Sequence, residues 1–580
     1  MALRACGGAD APRGPEGRLM PPPWDASYPP ESRWDVPIAE GTLPGFLDDC
    51  AARFGDAPAL EYRGHVLSYR QFQALADRVA AGLMAMGVGR GDCVALLLPN
   101  TPWHPVCFFA ALRTGARVVH LSALDAKREL AQKARDSGAT LLITTGFASL
   151  VTHAEWLLED GAVPRVLVAP DARWGGEDAP HRFAPLPEAD PPASWPALAP
   201  ADLALLQYTG GTTGTPKGAM LTHGNLTAAV AIYKAFRDAN SLPERTGRVL
   251  VLLPLFHIFA LTAVLLRQMA EGALLHLRPR FDAAQAIAEI ETLGINTFSG
   301  VPTMWIGMLN SPEARPERFA SLRVVRSGGA PMPFETLRQL EALIGRRIGG
   351  GWGMTETCPA GTAIPPDAPR RAGLIGLPLP RIEMRIVDPD APTQTRPVGE
   401  VGEIAIRGPN VFSGYWNRPA ENAAAFADGW FLTGDMGWMD DRGYFTLVDR
   451  RKNMILSGGF NVYPAQIEQA IYEHADVAEC IVIGIPDPYR GQAAKAYVAL
   501  KPGAAGFTLD DLRGFLADRL GKHELPAALE FRDALPRSAA GKLLASALRA
   551  EFEASDDRRA EAPTAPSTGG LNRMPKKGDP

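Results

Sequence analysis

Cysteine is scarce in this chain: Cys6, Cys50, Cys93, Cys107, Cys358 and Cys480 are the only six in 580 residues. No two of them stand in a CxxC spacing and no His/Cys cluster accompanies them, which argues against a zinc site and against a disulfide framework. Reduced, mostly buried thiols in a cytoplasmic protein are the expectation. Long hydrophobic runs are missing as well. "IFALTAVLL", from Ile258 to Leu266, is among the longest and falls far short of the roughly 18–20 residues that span a bilayer. The first thirty residues carry Pro and Gly in place of an apolar signal-peptide core, so 1–35 reads as a flexible lead. Neither sign of charge is in surplus. The 59 basic and 64 acidic side chains give a formal charge of −5, which argues against a general nucleic-acid or anionic-membrane binder.

What the chain does have is apolar residues, 46% of the total, enough for a sizeable core, and a length that predicts more than one domain. Short apolar runs bounded by turn residues read as buried strands: "CVALLLP" from Cys93, "ARVVHL" from Ala116, "TLLITT" from Thr140, "RVLVLLPL" from Arg248 and "RVVRSGG" from Arg323. Helical patterns lie between them, as at 105–113 and 281–293. Such alternation predicts an α/β fold with parallel sheets covered by helices. After Ile382 the style changes. "EMRIVD", "GEIAIRG" and "GYFTLVD" read as antiparallel strands of a smaller β-rich subdomain. The charged turn "DRRKNM", Asp449 to Met454, suits a domain boundary, and about a hundred residues beyond it carry their own α+β pattern. The expected division is a large domain over 36–451 and a small one over 452–550. From about Glu551 the hydrophobic pattern fades, so 551–580 is expected to be disordered.

The chemistry concentrates in loops. "YTGGTTGTPKGAM", Tyr208 to Met220, packs glycines and hydroxyls after an apolar strand, so that backbone N–H groups and side-chain donors can surround an anion. It is not a Walker loop, which needs G-x-x-x-x-G-K-[ST]: Lys217 stands between Pro216 and Gly218, with no hydroxyl after it to take Mg²⁺. "SGGAPMP" from Ser327 follows a strand, where ligands sit in open α/β sheets. In "GGGWGMTE", Gly349 to Glu356, a flat ring can stack on a base, a hydroxyl can reach phosphate and a carboxylate can hold Mg²⁺. "GWFLTGD" ends in Asp435, a carboxylate that could accept from ribose hydroxyls, although alone the stretch reads as a turn with an Asx cap.

Taken in order, "LSYRQF", "YTGGTTGTPKGAM", "PLFHIF", "SGGAP", "GWGMTE", "FLTGD", "LVDRRKNMILSGGFNVYP" and "PRSAAGK" resemble the adenylate-forming (AMP-binding) superfamily, from about Leu43 to Leu548. Within it they look most like the bacterial medium- and long-chain fatty acyl-CoA synthetases and the dicarboxylate-CoA ligases. The resemblance implies a large domain of two helix-covered sheets plus a distorted β-barrel subdomain, and a small mobile α+β C-terminal domain. It implies ATP, Mg²⁺ and coenzyme A as the cofactors and a carboxylic acid as the substrate, adenylated first and then passed to the thiol. Thr209, Gly210, Gly211, Thr212, Thr213, Gly214 and Lys217 would hold the departing phosphates. Gly328, Gly329, Ala330, Gly351, Trp352 and Gly353 would form the adenine slot, with Asp435 and Arg450 on the ribose. Thr355 would contact the α-phosphate, Glu356 would hold the metal, His257 would gate the acyl site and Lys542 would span carboxylate and nucleotide. Lys452 would be the hinge, and Ser457, Gly458, Gly459 and Phe460 would flank the coenzyme A channel. Asn453 departs from the Asp common at its position, and "VVHLSALDAKREL" lacks the usual Asn-Pro.

The acyl pocket, drawn from 256–266 and 301–309, reads as apolar and suits a hydrocarbon chain. It has no acid near its start to pair with an amino acid's ammonium. Arg267 could receive the far carboxylate of a dicarboxylic (pimeloyl-type) acid, although an arginine there reads more simply as a helix end in solvent. A luciferase-type oxygenase shares the adenylation chemistry. A non-catalytic nucleotide-binding scaffold is disfavoured by the presence of Lys217, Lys542 and Glu356. Contact with a membrane surface stays open for a fatty substrate, as do chain length and oligomeric state.

Overall fold

The computed structural model describes residues 22–209, 216–457, 460–537 and 542–560. Two seven-stranded sheets form the large domain. The first runs Ala184–Pro185, Val166–Ala169, Leu141–Thr145, Cys93–Leu97, Arg117–His120, Leu203–Thr209 and Lys217–Thr222, parallel until the final antiparallel pair. The second runs Gly349–Gly350, Val324–Ser327, Thr297–Gly300, Arg248–Val251, Leu274–Leu277, Pro58–Tyr62 and His65–Ser68, again parallel except for its last pair. Cys93–Leu97 and Leu141–Thr145 are buried at every residue, as strands covered on both faces must be. Helix Trp103–Arg113 is buried all round, the mark of a helix with no solvent face. The "LSYRQF" segment is a helix start. Ser68 accepts from the Gln71 N–H while the Gln71 side chain accepts from the Ser68 N–H, a capping box.

The β-rich subdomain is a curled antiparallel sheet with the strand order Thr362–Ala363, Leu374–Pro378, Phe445–Arg450, Trp430–Met439, Gly402–Arg407, Glu383–Val387. The C-terminal sheet pairs Phe460–Val462, Ile455–Ser457, Gly491–Leu500 and Val477–Asp487, with Ala528–Phe531 added parallel to Gly491–Leu500. Helix Pro464–Tyr472 covers it and starts with the proline at its first position. A separate core of Ile455, Val462, Ile467, Val482 and Leu512 lies beneath. The five described cysteines are free and buried. No helix among the described residues is long and apolar enough to cross a membrane.

Two boundaries differ from the sequence reading. The lead expected over 1–35 is packed from residue 22 onward. Trp24 and Trp34 are buried in the main core, with Trp24 edge-on to Trp34 at 6.3 Å and against Phe445 at 6.1 Å. Gly443, at φ +80°, leaves room for Trp24. Prolines around these tryptophans hide the periodicity, but two large rings supply the burial that pins the segment. The tail expected to be disordered from 551 begins as helix, which runs Ala545–Ala560. Leu548 is buried and Phe552 packs beside it against Ile481 and Tyr497, and the Ala, Glu and Arg that follow favour helix.

Trp24→Ala removes a buried indole and is expected to cost about 3–5 kcal/mol, read as a lower denaturant midpoint. An unchanged midpoint would show that the segment is not anchored.

Candidate functional site

The parallel strands deliver the motif loops from their carboxyl ends. Leu203–Thr209 leads into the glycine-threonine loop, Val324–Ser327 into Gly328-Gly329-Ala330, and Gly349–Gly350 into Gly351-Trp352-Gly353. Gly210, Gly211, Thr212, Thr213 and Gly214 lie outside the described residues. The loop's two ends are fixed, because Thr209 and Lys217 are register partners. The Tyr208 hydroxyl donates to Asp136 at 2.6 Å.

Lys217 does not stand alone. Its ammonium lies 5.5 Å from the ring centroid of Tyr415, and the Tyr415 hydroxyl donates to Glu356 Oε1 at 2.8 Å. Residues 413–416 run along strand Lys217–Thr222, with Ser413 N–H donating to Met220, Met220 N–H to Gly414 and Trp416 N–H to Gly218. That pairing sets Tyr415 between the cation and the carboxylate. Glu356 is buried in the short turn Thr355–Thr357, and burial raises its pKa while the Tyr415 hydrogen bond and Arg450 oppose the rise. Thr355 opens the same turn, half-buried. Tyr415 was missed in the sequence. Its only signal was an aromatic pair, Tyr415-Trp416, in the turn-rich "FSGYWN".

The expected adenine slot is tightly built. A side chain at Gly328 would meet the Phe259 ring at 2.8 Å, and Gly329 has φ +80° with Val301 and Lys542 nearby. Ser327 Oγ is buried with no partner among the described residues. Ala330 follows, half-buried. Gly351 and Gly353 answer a different need from close approach to a base: a side chain would overlap the carbonyl of Thr362 at the first and of Pro359 at the second. Trp352 is buried and donates from Nε1 to Asp435 Oδ2 at 2.7 Å. Asp435 and Arg450 are register partners on adjacent strands, and Arg450 Nε sits 3.0 Å from Asp435 Oδ1. That contact is an ion pair without hydrogen-bond alignment, so Oδ1 remains a buried acceptor with no donor, which fits a hydroxyl ligand.

Lys542 comes from the C-terminal domain and reaches this place. With Leu253, Pro254, His257, Phe259, Ala260, Val301 and Gly329 it lines a cavity of about 10 Å³, space for about one water. Burial, with Arg450 adding to it, holds the ammonium down at about 8, and Asp435 works the other way. Burial and then Lys542 hold His257 down at about 3, so its imidazole is neutral at physiological pH, and Nδ1 accepts from the Phe259 N–H at 3.2 Å.

The charged turn at the expected hinge is a short helical turn, Arg451–Asn453. Arg451 is tied to Asp390 and Glu403 of the large domain. Asn453 donates to Asp449 Oδ1 at 3.1 Å. Asp449 is buried, and an aspartate at 453 would set a second carboxylate against it in place of that donor. Lys452 is held down at about 8 by burial and by Arg450. Ser457 is buried with its Oγ unpartnered among the described residues, while Phe460 is exposed and stacked on His523 at 4.5 Å. Gly458 and Gly459 lie outside the described residues. Arg267 is half-buried: it follows the π-helix Phe259–Leu266 and opens the helical turn Arg267–Ala270, with its guanidinium 4.9 Å from the Tyr233 ring.

The strand ends thus gather a buried aspartate oxygen without a donor, a buried glutamate and a lysine from the C-terminal domain. Comparison with known proteins agrees with the resemblance carried by the motifs. Residues 47–416 match the family described as AMP-binding enzyme, and 466–542 match the AMP-binding enzyme C-terminal domain. The chain is 35% identical to a long-chain-fatty-acid–CoA ligase of Bacillus subtilis, across 90% of this chain and 96% of the relative. It is 37% identical to a feruloyl-CoA synthase of Amycolatopsis, across 86% and 96%. The ATP-bound MatB of Rhodopseudomonas palustris superposes with a TM-score of 0.76 at 30% identity, covering 88% of this chain and 99% of that one. The chain belongs to the AMP-binding enzyme family, among its acyl-CoA synthetases.

Tyr415→Phe keeps the ring beneath Lys217 and removes the hydrogen bond to Glu356. A hydrogen bond to a charged group is worth about 1.5–3 kcal/mol, so pyrophosphate release is expected to slow by about 10–10²-fold. An unchanged rate would show that Tyr415 does not support Glu356.

Proposed function

We propose that this acyl-CoA synthetase activates a fatty, medium- or long-chain carboxylic acid in the cytoplasm, using MgATP and coenzyme A. The observation that carries the reading is Lys542 in the cavity shared with His257, Phe259 and Gly329. In the first step a carboxylate oxygen attacks the α-phosphorus. The new O–P bond replaces the bond to the β-phosphate, and pyrophosphate leaves. Two anions must meet, and the Lys542 ammonium offsets their repulsion as charge builds. Lys217 and the loop from Thr209 hold the departing phosphates, Thr355 contacts the α-phosphate, and Asp435 takes the ribose with Arg450 beside it. Gly328, Gly329 and Ala330 with Trp352 wall the base.

Mg²⁺ suits Glu356. Among the described residues no cluster of three or more ligating side chains exists, and a single carboxylate completed by substrate phosphates is how Mg²⁺ is commonly bound. When bound it supplies charge neutralisation on those phosphates. His257, which burial keeps as a neutral imidazole, takes a steric role at the gate between nucleotide and acyl chain. In the second step the thiol sulfur of coenzyme A attacks the acyl carbon, the C–S bond forms, AMP leaves with the electron pair and the thiol proton passes to solvent. Lys542 must withdraw for this, by rotation about Lys452, which brings the segment from Ser457 to Phe460 to the thiol channel.

Lys542→Ala should lose about 10²–10³ in adenylation while still converting supplied acyl-adenylate to thioester. Equal loss of both half-reactions would contradict the two-state account.

A further inference from the structure

The strand that feeds the glycine-threonine loop is held from a point outside the motifs. Asp136 stands in the last turn of the helix Lys127–Ser137, and its oxygens reach the loop's surroundings. Oδ2 accepts from the Tyr208 hydroxyl at 2.6 Å, and Oδ1 accepts from Arg418 Nη2 at 3.0 Å. The Asp136 carbonyl accepts from Trp416 Nε1 at 3.0 Å, a bond open to it because a helix leaves its last carbonyls without intrahelical partners. The local sequence "KARDSG" reads as an ordinary solvated helix end, so nothing in it marks the residue.

These bonds straddle the strand that leaves the loop. Tyr208 is buried and is the register partner of Gly218 across the loop's mouth. A side chain at Gly218 would come within 3.2 Å of the Tyr208 ring, so the two strands close flat on each other there. Lys217–Thr222 is the edge of its sheet, and residues 413–416 cover that edge, with Trp416 N–H on the Gly218 carbonyl at 2.8 Å. Asp136 thus grips the strand entering the loop on one side and the Tyr415 segment on the other. Its ion pair with Arg418 is largely buried, with side-chain exposures of 22% for the arginine and 19% for the aspartate, which spares it most salt screening. Arg418 has a second acid, Glu421, only at 4.0 Å.

We propose that Asp136 is a positioning residue for the first half-reaction. It holds the mouth of the glycine-threonine loop and the Tyr415 segment in one register, so that Lys217 and Glu356 meet the nucleotide's phosphates together. The proposal rests on the acyl-CoA synthetase reading above and extends it to a residue that touches no substrate. The departing phosphates exist only in the first half-reaction. An acyl-adenylate carries neither of them, so thioester formation has no need of this grip.

The test uses the full chain in two assays: pyrophosphate release from ATP with octanoate or palmitate, and conversion of supplied palmitoyl-adenylate to thioester. Asp136→Ala should lower kcat/KM for ATP by about 10–10²-fold, the worth of hydrogen bonds to a charged group. KM for ATP should rise while KM for palmitate and thioester formation stay unchanged, a split that a general loss of structure does not produce. Asp136→Asn, which keeps one acceptor oxygen, should fall between. Tyr208→Phe keeps the ring on Gly218 and removes one bond to Asp136. It should show the same split at smaller amplitude, and it carries the test if the alanine variant does not fold. Equal loss in both half-reactions, loss in neither, or a matching rise in KM for palmitate overturns the proposal and leaves the synthetase reading standing. No pyrophosphate and no thioester from the wild-type chain overturns the synthetase reading itself.

Discussion

The site depends on a buried ammonium that its own domain does not bury. Lys542 belongs to the C-terminal sheet's surroundings, yet its side chain lies against Gly329 and Phe259 of the large domain. Taking an ammonium out of water is costly, and the cost shows as a pKa pushed down to about 8. Asp435 returns part of it, but that carboxylate is already shared with Trp352 and Arg450, and Arg450 repels.

The same logic shapes the rest of the pocket. Lys217 rests on the Tyr415 face, and Tyr415 holds Glu356, so a cation and a buried carboxylate are joined through one ring. The short turn Arg451–Asn453 is tied by Arg451 to Asp390 and Glu403.

Much of this was legible in the sequence. Apolar runs such as "CVALLLP" and "TLLITT" marked buried parallel strands because a strand covered on both faces has no polar side to show. The loops carrying Lys217, Gly328, Trp352, Asp435 and Lys542 could be ordered along the chain; in the fold Trp352 meets Asp435, and Gly328 and Lys542 share Phe259 as a neighbour. What escaped was tertiary. Tyr415 acquires its place from backbone pairing with a strand about two hundred residues earlier. Arg267 reads as a helix end because nothing local reveals the Tyr233 ring it packs against. Trp24 and Trp34 were obscured by prolines, and the helix past Glu551 lacked an apolar stripe because it meets its neighbours mainly through Leu548 and Phe552.

The central claim is that Lys542 is a desolvated cation in the cavity it shares with His257, Phe259 and Gly329. It is tested most directly by titrating that lysine, with isotope-labelled dimethyl-lysine NMR assigned through Lys542→Arg. The account predicts a midpoint about 8 in the free protein and a rise when ATP binds, since phosphate favours the protonated form. Because the cation is the active form, kcat/KM for ATP should fall as pH rises through that midpoint. A midpoint near the ordinary lysine value, about 10.4, with no response to ATP, would contradict it.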